Sequence, residues 1–388
     1  MKNLLDKEIE KIIQSLWDMS DHLYENPELG NQEYQSMQLL ADFLKEHDFV
    51  VETGTVDLPT AFKAEYNSGK PGPRIAYLAE YDALPGVGHG CGHNLIGTMS
   101  TGAGVALSKL VNETGGSIVV LGTPAEETNG AKVAMSEQGT FSDIDAAMIV
   151  HPGDVSYESG ESLAMDAIQF SYSGKSAHAA ASPEKGINAL DSVIQLFNGI
   201  NALRQHVTSD VRIHGVIPEG GQAANVVPDK AIAQFYVRAK NRSYLDEVVR
   251  KVKQIAEGAA LMTGASLEIS NYELSYDNMI TNEALSKKFT ENLKKTSSYP
   301  VLPAKDSYGS IDMGNVSQVV PAIHPYIGMN KPGLIPHTKE FADQTITGDG
   351  HQALRDGALS LAMTGYDILT DADLLRTIQE EFEINRMK

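Results

Sequence analysis

The sequence has few of the features that mark secreted, membrane-bound or disulfide-stabilised proteins. Its single cysteine, Cys91, cannot form a disulfide within the chain, which fits a reducing compartment. No run approaches the roughly 20 consecutive apolar residues of a membrane span, and the first residues lack the basic segment and apolar core of a secretion signal. We therefore expect a cytoplasmic protein that does not enter a membrane.

Positive charge is also scarce. The chain has 31 Lys and Arg against 51 Asp and Glu, a formal net charge of −20. Nucleic acids and anionic membranes bind clusters of Lys and Arg, so both are excluded as expected partners. Solubility is the simplest interpretation of the negative charge.

The length of 388 residues predicts two domains, and short apolar runs indicate the class of the first. Residues 74–79, 117–122 and 146–150 are too short for helices and apolar on both faces, as strands covered by helices are. Helix-like stretches such as residues 95–111 separate them. This alternation predicts an α/β domain with a largely parallel sheet.

A different rhythm begins near residue 166. Strand and helix patterns follow there in the order β-α-β-β-α-β, which is that of a ferredoxin-like unit. We therefore predict a discontinuous first domain, residues 1–165 and 278–388, interrupted by a second domain at residues 166–277.

Potential metal ligands follow the three apolar runs of the first domain. Because ligands bind beyond the carboxyl ends of strands in open α/β sheets, we expect these side chains to meet. Thiolate, imidazole and carboxylate are ordinary transition-metal ligands. Each residue alone has a simpler interpretation, as a buried cysteine, a solvated acid or an interior histidine. Together they predict a metal site, and the candidates are Asp82, Cys91, His93, Glu126, Glu127 and His151.

Several motifs, in this order along the chain, carry a resemblance to a known family. They are ENPELGNQEY, YDALP followed by GHGCGHN, PAEE, IVHPG, GKSAHAA, GNVSQVVPAIHPYI and PHTKEF. Together they resemble the amidohydrolase branch of metallopeptidase family twenty, which contains aminoacylases, dipeptidases and aminobenzoyl-glutamate hydrolases. The resemblance covers nearly the whole chain and implies a zinc-exopeptidase-like catalytic domain with an inserted lid domain that mediates dimerisation.

The resemblance also implies roles for individual residues. Glu126 would be the general base, and Asp82 would orient a ligand from outside the coordination sphere. Two divalent ions per subunit are expected, with zinc as first candidate and manganese, cobalt or nickel as alternatives. The implied ligands are Cys91, His93, Glu127, His151 and His337.

Three residues of the second domain complete the implied site. His178 would donate to the substrate carbonyl in the partner subunit, while Asn225 and Arg238 would hold a terminal carboxylate. Arginine suits that task because its planar fork pairs bidentately with a carboxylate. An edge-strand surface arginine is the simpler alternative. The expected substrate is an N-acyl amino acid, aminobenzoyl-glutamate-like compound or dipeptide, and the expected assembly is a homodimer through the lid, with higher oligomers open.

One departure from the family pattern and two other functions stay open at this point. Ile311 stands in Ser310-Ile311-Asp312 where relatives tend to have threonine, which weakens inference about substrate choice. Cys91 could instead be a covalent nucleophile with His93 or His151 as base. A catalytically silent relative that binds peptides or metals is the third possibility. His89 and His324 lie in matching motifs but are assigned no ligand role.

Overall fold

The computed structural model describes residues 2–305 and 308–386, which form two compact units. The first comprises residues 2–161, 279–305 and 312–386, and the second residues 162–278 and 308–311. The main divisions lie within a few residues of those expected. Residues 308–311 differ from expectation because they belong to the second unit, where Leu163 N–H donates to Gly309 O at 2.9 Å and Arg238 Nη1 donates to Ser310 Oγ at 3.0 Å.

The described helices follow the predicted periodicities. They are α1 (Lys2–Glu25), α2 (Tyr34–Glu46), α3 (His93–Thr114), α4 (Ala131–Glu137), α5 (Ala189–Leu203), α6 (Arg242–Thr263), α7 (Glu283–Thr296), α8 (Met313–Ser317), α9 (Lys339–Thr345), α10 (Gly348–Thr370) and α11 (Ala372–Arg386). Within residues 2–305 and 308–386, none of these helices has the length and apolar character needed to cross a membrane.

Most of the described strands are short. They are β1 (Val50–Thr53), β2 (Phe62–Asn67), β3 (Arg74–Ala79), β4 (Ser117–Gly122), β5 (Ala146–Met148), β6 (His151–Gly153), β7 (Ser156–Tyr157), β8 (Ala164–Ser173), β9 (Arg212–Glu219), β10 (Lys230–Ala239), β11 (Ser266–Asn271), β12 (Val301–Leu302), β13 (Ala322–Ile323) and β14 (Tyr326–Gly328).

The first unit is built on a mixed sheet of order β1-β2-β4-β3-β5-β13. The three predicted strands, β4, β3 and β5, are adjacent and parallel, with Ile75 opposite both Ile118 and Ala146. Their side chains are almost all buried, because α3 covers β3 and β4. The antiparallel pair β1 and β2 extends the sheet at one edge and was not predicted. The α/β class of this unit is therefore confirmed, with a mixed rather than a largely parallel sheet.

A second small sheet of order β12-β7-β14-β6 lies in the same unit. Its strand β6 begins at His151 itself, whose N–H donates to Pro325 O at 3.0 Å. The sequence had placed His151 in a loop after β5. The chain instead leaves one sheet after β5 and enters another directly, so His151 has a backbone held on both sides.

The second unit has the order β8-α5-β9-β10-α6-β11, with an antiparallel sheet of spatial order β11-β8-β10-β9. Alternate residues of β10, such as Phe235 and Val237, are fully buried. They pack with apolar side chains of α5 and α6 into one core, including Leu196 and Val252. This alternation is typical of a sheet covered by helices on one face only.

Candidate metal centre

The carboxyl ends of the parallel strands bring the predicted side chains together in the first unit. Asp82 follows β3, Glu126 and Glu127 follow β4, and His151 follows β5. Because these strands are adjacent and run in the same direction, their following loops meet at one edge of the sheet. Chain order alone therefore positions three of the contributing segments.

The cysteine loop is shaped by a glycine that no other residue could replace without strain. Gly92 has φ +78°, a left-handed conformation, and immediately precedes α3. A Cβ built on it would overlap Pro152 Cγ and lie 3.2 Å from Phe341 Cε1. The turn at Gly92 therefore directs Cys91 and His93, on either side of it, toward the same region.

His337 is tied to this loop although it lies far along the chain. Its N–H donates to Gly90 O at 2.8 Å, and its backbone has φ +63°. A left-handed conformation costs a residue with a side chain about 1–2 kcal/mol, so the surrounding contacts hold it there.

All five predicted ligands come together. The Cys91 Sγ lies 3.5 Å from His151 Nε2 and 3.5 Å from His337 Nε2, and His337 Nε2 lies 3.2 Å from Glu127 Oε1. Donor atoms lie within 4.8 Å of one another in three groups: Cys91 with His93 and His151, Cys91 with Glu127 and His337, and His93 with Glu126 and Glu127. Cys91 is shared by the first two groups, and His93 by the first and third.

The arrangement fits metal ions in two respects. Ligands on one tetrahedral ion, with bonds of about 2.0–2.3 Å, are separated by roughly 3.3–3.8 Å, which is close to the distances from Cys91 to its neighbouring imidazoles. In addition, His93 Nε2 is buried and makes no hydrogen bond among the described residues. Buried polar atoms are rarely left in this state, and an ion would satisfy this one.

Outer contacts orient the histidines. His93 Nδ1 donates to Asp82 Oδ1 at 2.9 Å, and the other oxygen of Asp82 accepts the Glu127 N–H at 3.0 Å. His151 Nδ1 donates to Pro152 O at 2.6 Å. In both rings Nδ1 carries the proton, so Nε2 is left as the ligand atom. Asp82 thus lies where the sequence placed it, outside the ligands and aimed at one of them.

Burial and neighbouring charges set the proton affinities of these groups. Burial lowers the pKa of His93, but the Asp82 carboxylate raises it further, and the net pKa lies well above the usual value. Burial lowers the pKa of His151 to about 4. Burial and the nearby carboxylates of Glu80 and Asp312 raise the pKa of Glu126. The site therefore combines a neutral imidazole with a carboxylate of increased basicity, which suits a ligand and a general base respectively.

Glu33 is a contributor that the sequence interpretation missed. Its fully buried carboxylate accepts the Ala125 N–H at 2.8 Å and the Thr60 hydroxyl at 3.0 Å. Ala125 has φ +62° and directly precedes Glu126, so this contact fixes an otherwise unfavourable turn beside the site. The signal was present, because Glu33 belongs to the ENPELGNQEY motif.

The remaining predicted residues lie in the second unit. His178 is exposed and forms an isolated bridge with Val226, while Ala179 N–H donates to Asn225 O at 3.0 Å, so His178 and Asn225 are on neighbouring segments. Arg238 lies on β10, with its guanidinium 5.5 Å from the Tyr236 ring centroid. Its Nε is buried without a hydrogen-bond partner in the part of the chain that the structure describes. Arg238 is thus a partly satisfied cation rather than a freely solvated surface side chain.

Comparison with known proteins agrees with this site. The model of peptidase family M20/M25/M40 matches residues 76–359. The Xaa-Arg dipeptidase of Mus musculus is 32% identical over 99% of this chain and 92% of its own length. A p-aminobenzoyl-glutamate hydrolase from Escherichia coli is 28% identical over 98% of this chain and 94% of its own length.

A solved structure shares the fold at low sequence identity. The YXEP protein of Bacillus subtilis, a dinuclear metal binding peptidase from the M20 family, has a TM-score of 0.67 with 20% identity and covers 92% of this chain and 99% of its own. The family match spans well over half of the chain, and the mouse relative spans nearly all of it. The predicted resemblance is thereby confirmed: this chain belongs to peptidase family M20/M25/M40 and is a hydrolase of amide or peptide bonds.

Proposed function

We propose that this chain is a metal-dependent dipeptidase or aminoacylase that cleaves an amide whose amine side carries a free carboxylate. One observation carries the proposal: five side chains of the ordinary transition-metal types converge at the carboxyl edge of the sheet, with Glu126 beside them. The relatives named for dipeptides and for aminobenzoyl-glutamate support the substrate class.

The residues divide the work as follows. Cys91, His93, Glu127, His151 and His337 would hold two divalent ions, and zinc suits this mixture of nitrogen, oxygen and sulfur donors, with manganese, cobalt or nickel as alternatives. Such ions acidify water and polarise a scissile carbonyl. Glu126 accepts the proton of the attacking water and delivers it to the leaving nitrogen, a transfer favoured by its raised pKa. Asp82 keeps His93 in one tautomer and one orientation.

The second unit would act as a ferredoxin-like lid. Arg238 and Asn225 would hold the terminal carboxylate of the substrate, and His178 would donate to its carbonyl. The exposed edge strand β9 presents Val216 and Ile217 at 61% and 43% exposure. An unpaired apolar edge is a template for pairing with another strand. We expect a second copy of this chain to pair there and form a homodimer.

The geometry also allows a test of the cysteine-nucleophile hypothesis. Cys91 lies within 3.5 Å of two imidazole nitrogens, as a nucleophile beside its base would. However, burial raises the pKa of the Cys91 thiol, whereas an activated nucleophile has a lowered one. The metal-ligand role is therefore favoured.

The deciding experiment combines metal analysis with hydrolysis. Purified protein should contain about two ions per chain by mass spectrometry and should hydrolyse members of a panel of dipeptides, N-acyl amino acids and aminobenzoyl-glutamate. Activity should disappear on chelation and return with Zn²⁺ or Mn²⁺. Protein that binds no metal after reconstitution, or whose activity ignores chelation, would contradict the proposal.

A variant separates catalysis from binding. Glu126→Gln should keep both ions but lower kcat/KM by about 10²- to 10⁴-fold, the range for loss of a general base. Glu137→Gln, an exposed glutamate on α4, is the matched control and should behave like the parent protein. Unchanged turnover in Glu126→Gln would remove the general-base role and favour another group or a silent binding protein.

A further inference from the structure

A fully buried ion-pair cluster lies beside the candidate metal centre. Lys132, on α4, places its Nζ 2.7 Å from Glu80 Oε1 and 2.7 Å from Asp312 Oδ1. The three side chains are at most 2% exposed. Buried charges are tolerated when they are paired, but here two carboxylates face one ammonium. By formal charge the cluster carries one negative charge more than the lysine neutralises.

The second oxygen of Glu80 points toward a metal-site histidine. Glu80 Oε2 is buried, has no hydrogen-bond partner within residues 2–305 and 308–386, and lies 3.4 Å from His93 Nε2. Asp82 approaches the other ring nitrogen at 2.9 Å. Glu80 and Asp82 are two residues apart on an extended segment after β3, so their side chains project to the same side. The imidazole of His93 therefore faces a carboxylate at each nitrogen.

The distance between the two unpaired atoms has a specific meaning. Two oxygen or nitrogen ligands on a tetrahedral ion with bonds of about 2.0–2.2 Å are separated by about 3.4 Å. Glu80 Oε2 and His93 Nε2 have this separation, and neither makes the hydrogen bond that would otherwise explain their approach. Together with the excess negative charge, this geometry favours a cation between them.

We propose that Glu80 is a further ligand of the metal centre, on the side of His93. Lys132 and Asp312 hold its carboxylate so that Oε1 is occupied by the ammonium and Oε2 is left for the ion. Asp312 is itself held firmly, since Lys132 N–H donates to its Oδ2 at 3.4 Å and a side chain at Gly130 would overlap it. The proposal rests on the metal-dependent function and extends the ligand set beyond the residues implied by the family resemblance.

The test measures metal binding rather than turnover. Apoprotein is titrated with Zn²⁺ in competition with a chromophoric chelator, and the Co²⁺-substituted protein is examined by visible absorption. Glu80→Gln should weaken one of the two ions and change the intensity of the Co²⁺ bands. Asp82→Asn provides the comparison for a residue outside the ligands, for which a loss of about 10- to 100-fold is expected. Glu80→Gln should exceed that loss.

Two further variants make the result interpretable. Glu65→Gln removes a carboxylate that is ion-paired to Arg74 elsewhere in the same unit and should leave metal binding unchanged. Glu80→Asp keeps the charge but withdraws the carboxylate by one methylene, so a ligand role predicts weakened binding and an altered Co²⁺ spectrum. It also serves if Glu80→Gln does not fold.

Each outcome decides a different point. Wild-type affinity and spectrum in both Glu80 variants would overturn the ligand role while leaving the proposed function intact. Wild-type behaviour of Glu80→Asp with weakened Glu80→Gln would overturn it too, because charge alone would then suffice. Absence of metal from the parent protein after reconstitution would instead refute the proposed function itself.

Discussion

Gly92 offers the sharpest test of how the fold positions the site. It lies between two predicted ligands with φ +78°, and an added Cβ would overlap Pro152 Cγ. The left-handed conformation costs an alanine about 1–2 kcal/mol, and overpacking of a filled region costs about 1–3 kcal/mol. Gly92→Ala should therefore lower the free energy of unfolding by about 2–5 kcal/mol. Because Pro152 follows His151, relief of the overlap should also displace that ligand and weaken Zn²⁺ binding.

The assay is urea unfolding of the metal-free protein followed by far-UV circular dichroism. Gly86→Ala is the matched control, since Gly86 has φ +73° in the same loop but no described atom within 4 Å of an added Cβ. It should lose only the backbone contribution of about 1–2 kcal/mol. Equal losses in the two variants would refute the argument, because the contact with Pro152 would then contribute nothing.

Two other predictions concern the second unit. Asp166 accepts hydrogen bonds from Arg242 Nη1 at 2.7 Å and Nη2 at 3.0 Å; burial raises its pKa but these bonds lower it further, to a net value below the usual one. Its ionised form thus stabilises the fold above about pH 4 and the contribution is lost as pH falls through the lowered pKa, so Asp166→Asn should cost about 1.5–3 kcal/mol in urea unfolding at pH 7 and progressively less below about pH 4; a difference that stays constant with pH would contradict this. Val216→Glu should shift the protein toward monomer in size-exclusion chromatography with light scattering, whereas Val50→Glu, on an exposed edge strand of the first unit, should not. Identical oligomeric states for Val216→Glu and the parent would place the dimer contact elsewhere.

Local patterns in the sequence were sufficient for much of the fold. The runs at 74–79 and 117–122 are apolar at every second position and between, and the structure has both as buried parallel strands. The helix that begins at His93 and the β-α-β-β-α-β order of the second unit also follow from periodicity. The five predicted ligands converge because each lies next to a motif whose backbone geometry is local.

Other features depend on partners that are distant in the chain. The edge strands β1 and β2 carry no distinctive pattern, and pairing with β4 makes them strands. Glu33 meets Ala125 across 92 positions, and Lys132 meets Asp312 across 180. Such contacts leave no periodic signal, since the two residues become neighbours only after the chain has packed.

What the sequence by itself determined is therefore the class of the first unit, the identity of the ligand residues and the family, because these depend on residue type and short-range spacing. Tertiary structure alone decided that Glu80 turns one oxygen to Lys132 and the other to His93, and that residues 308–311 join the second unit. The physical reason is that a buried charge takes the orientation its neighbours impose, and those neighbours are assembled only when distant segments pack together.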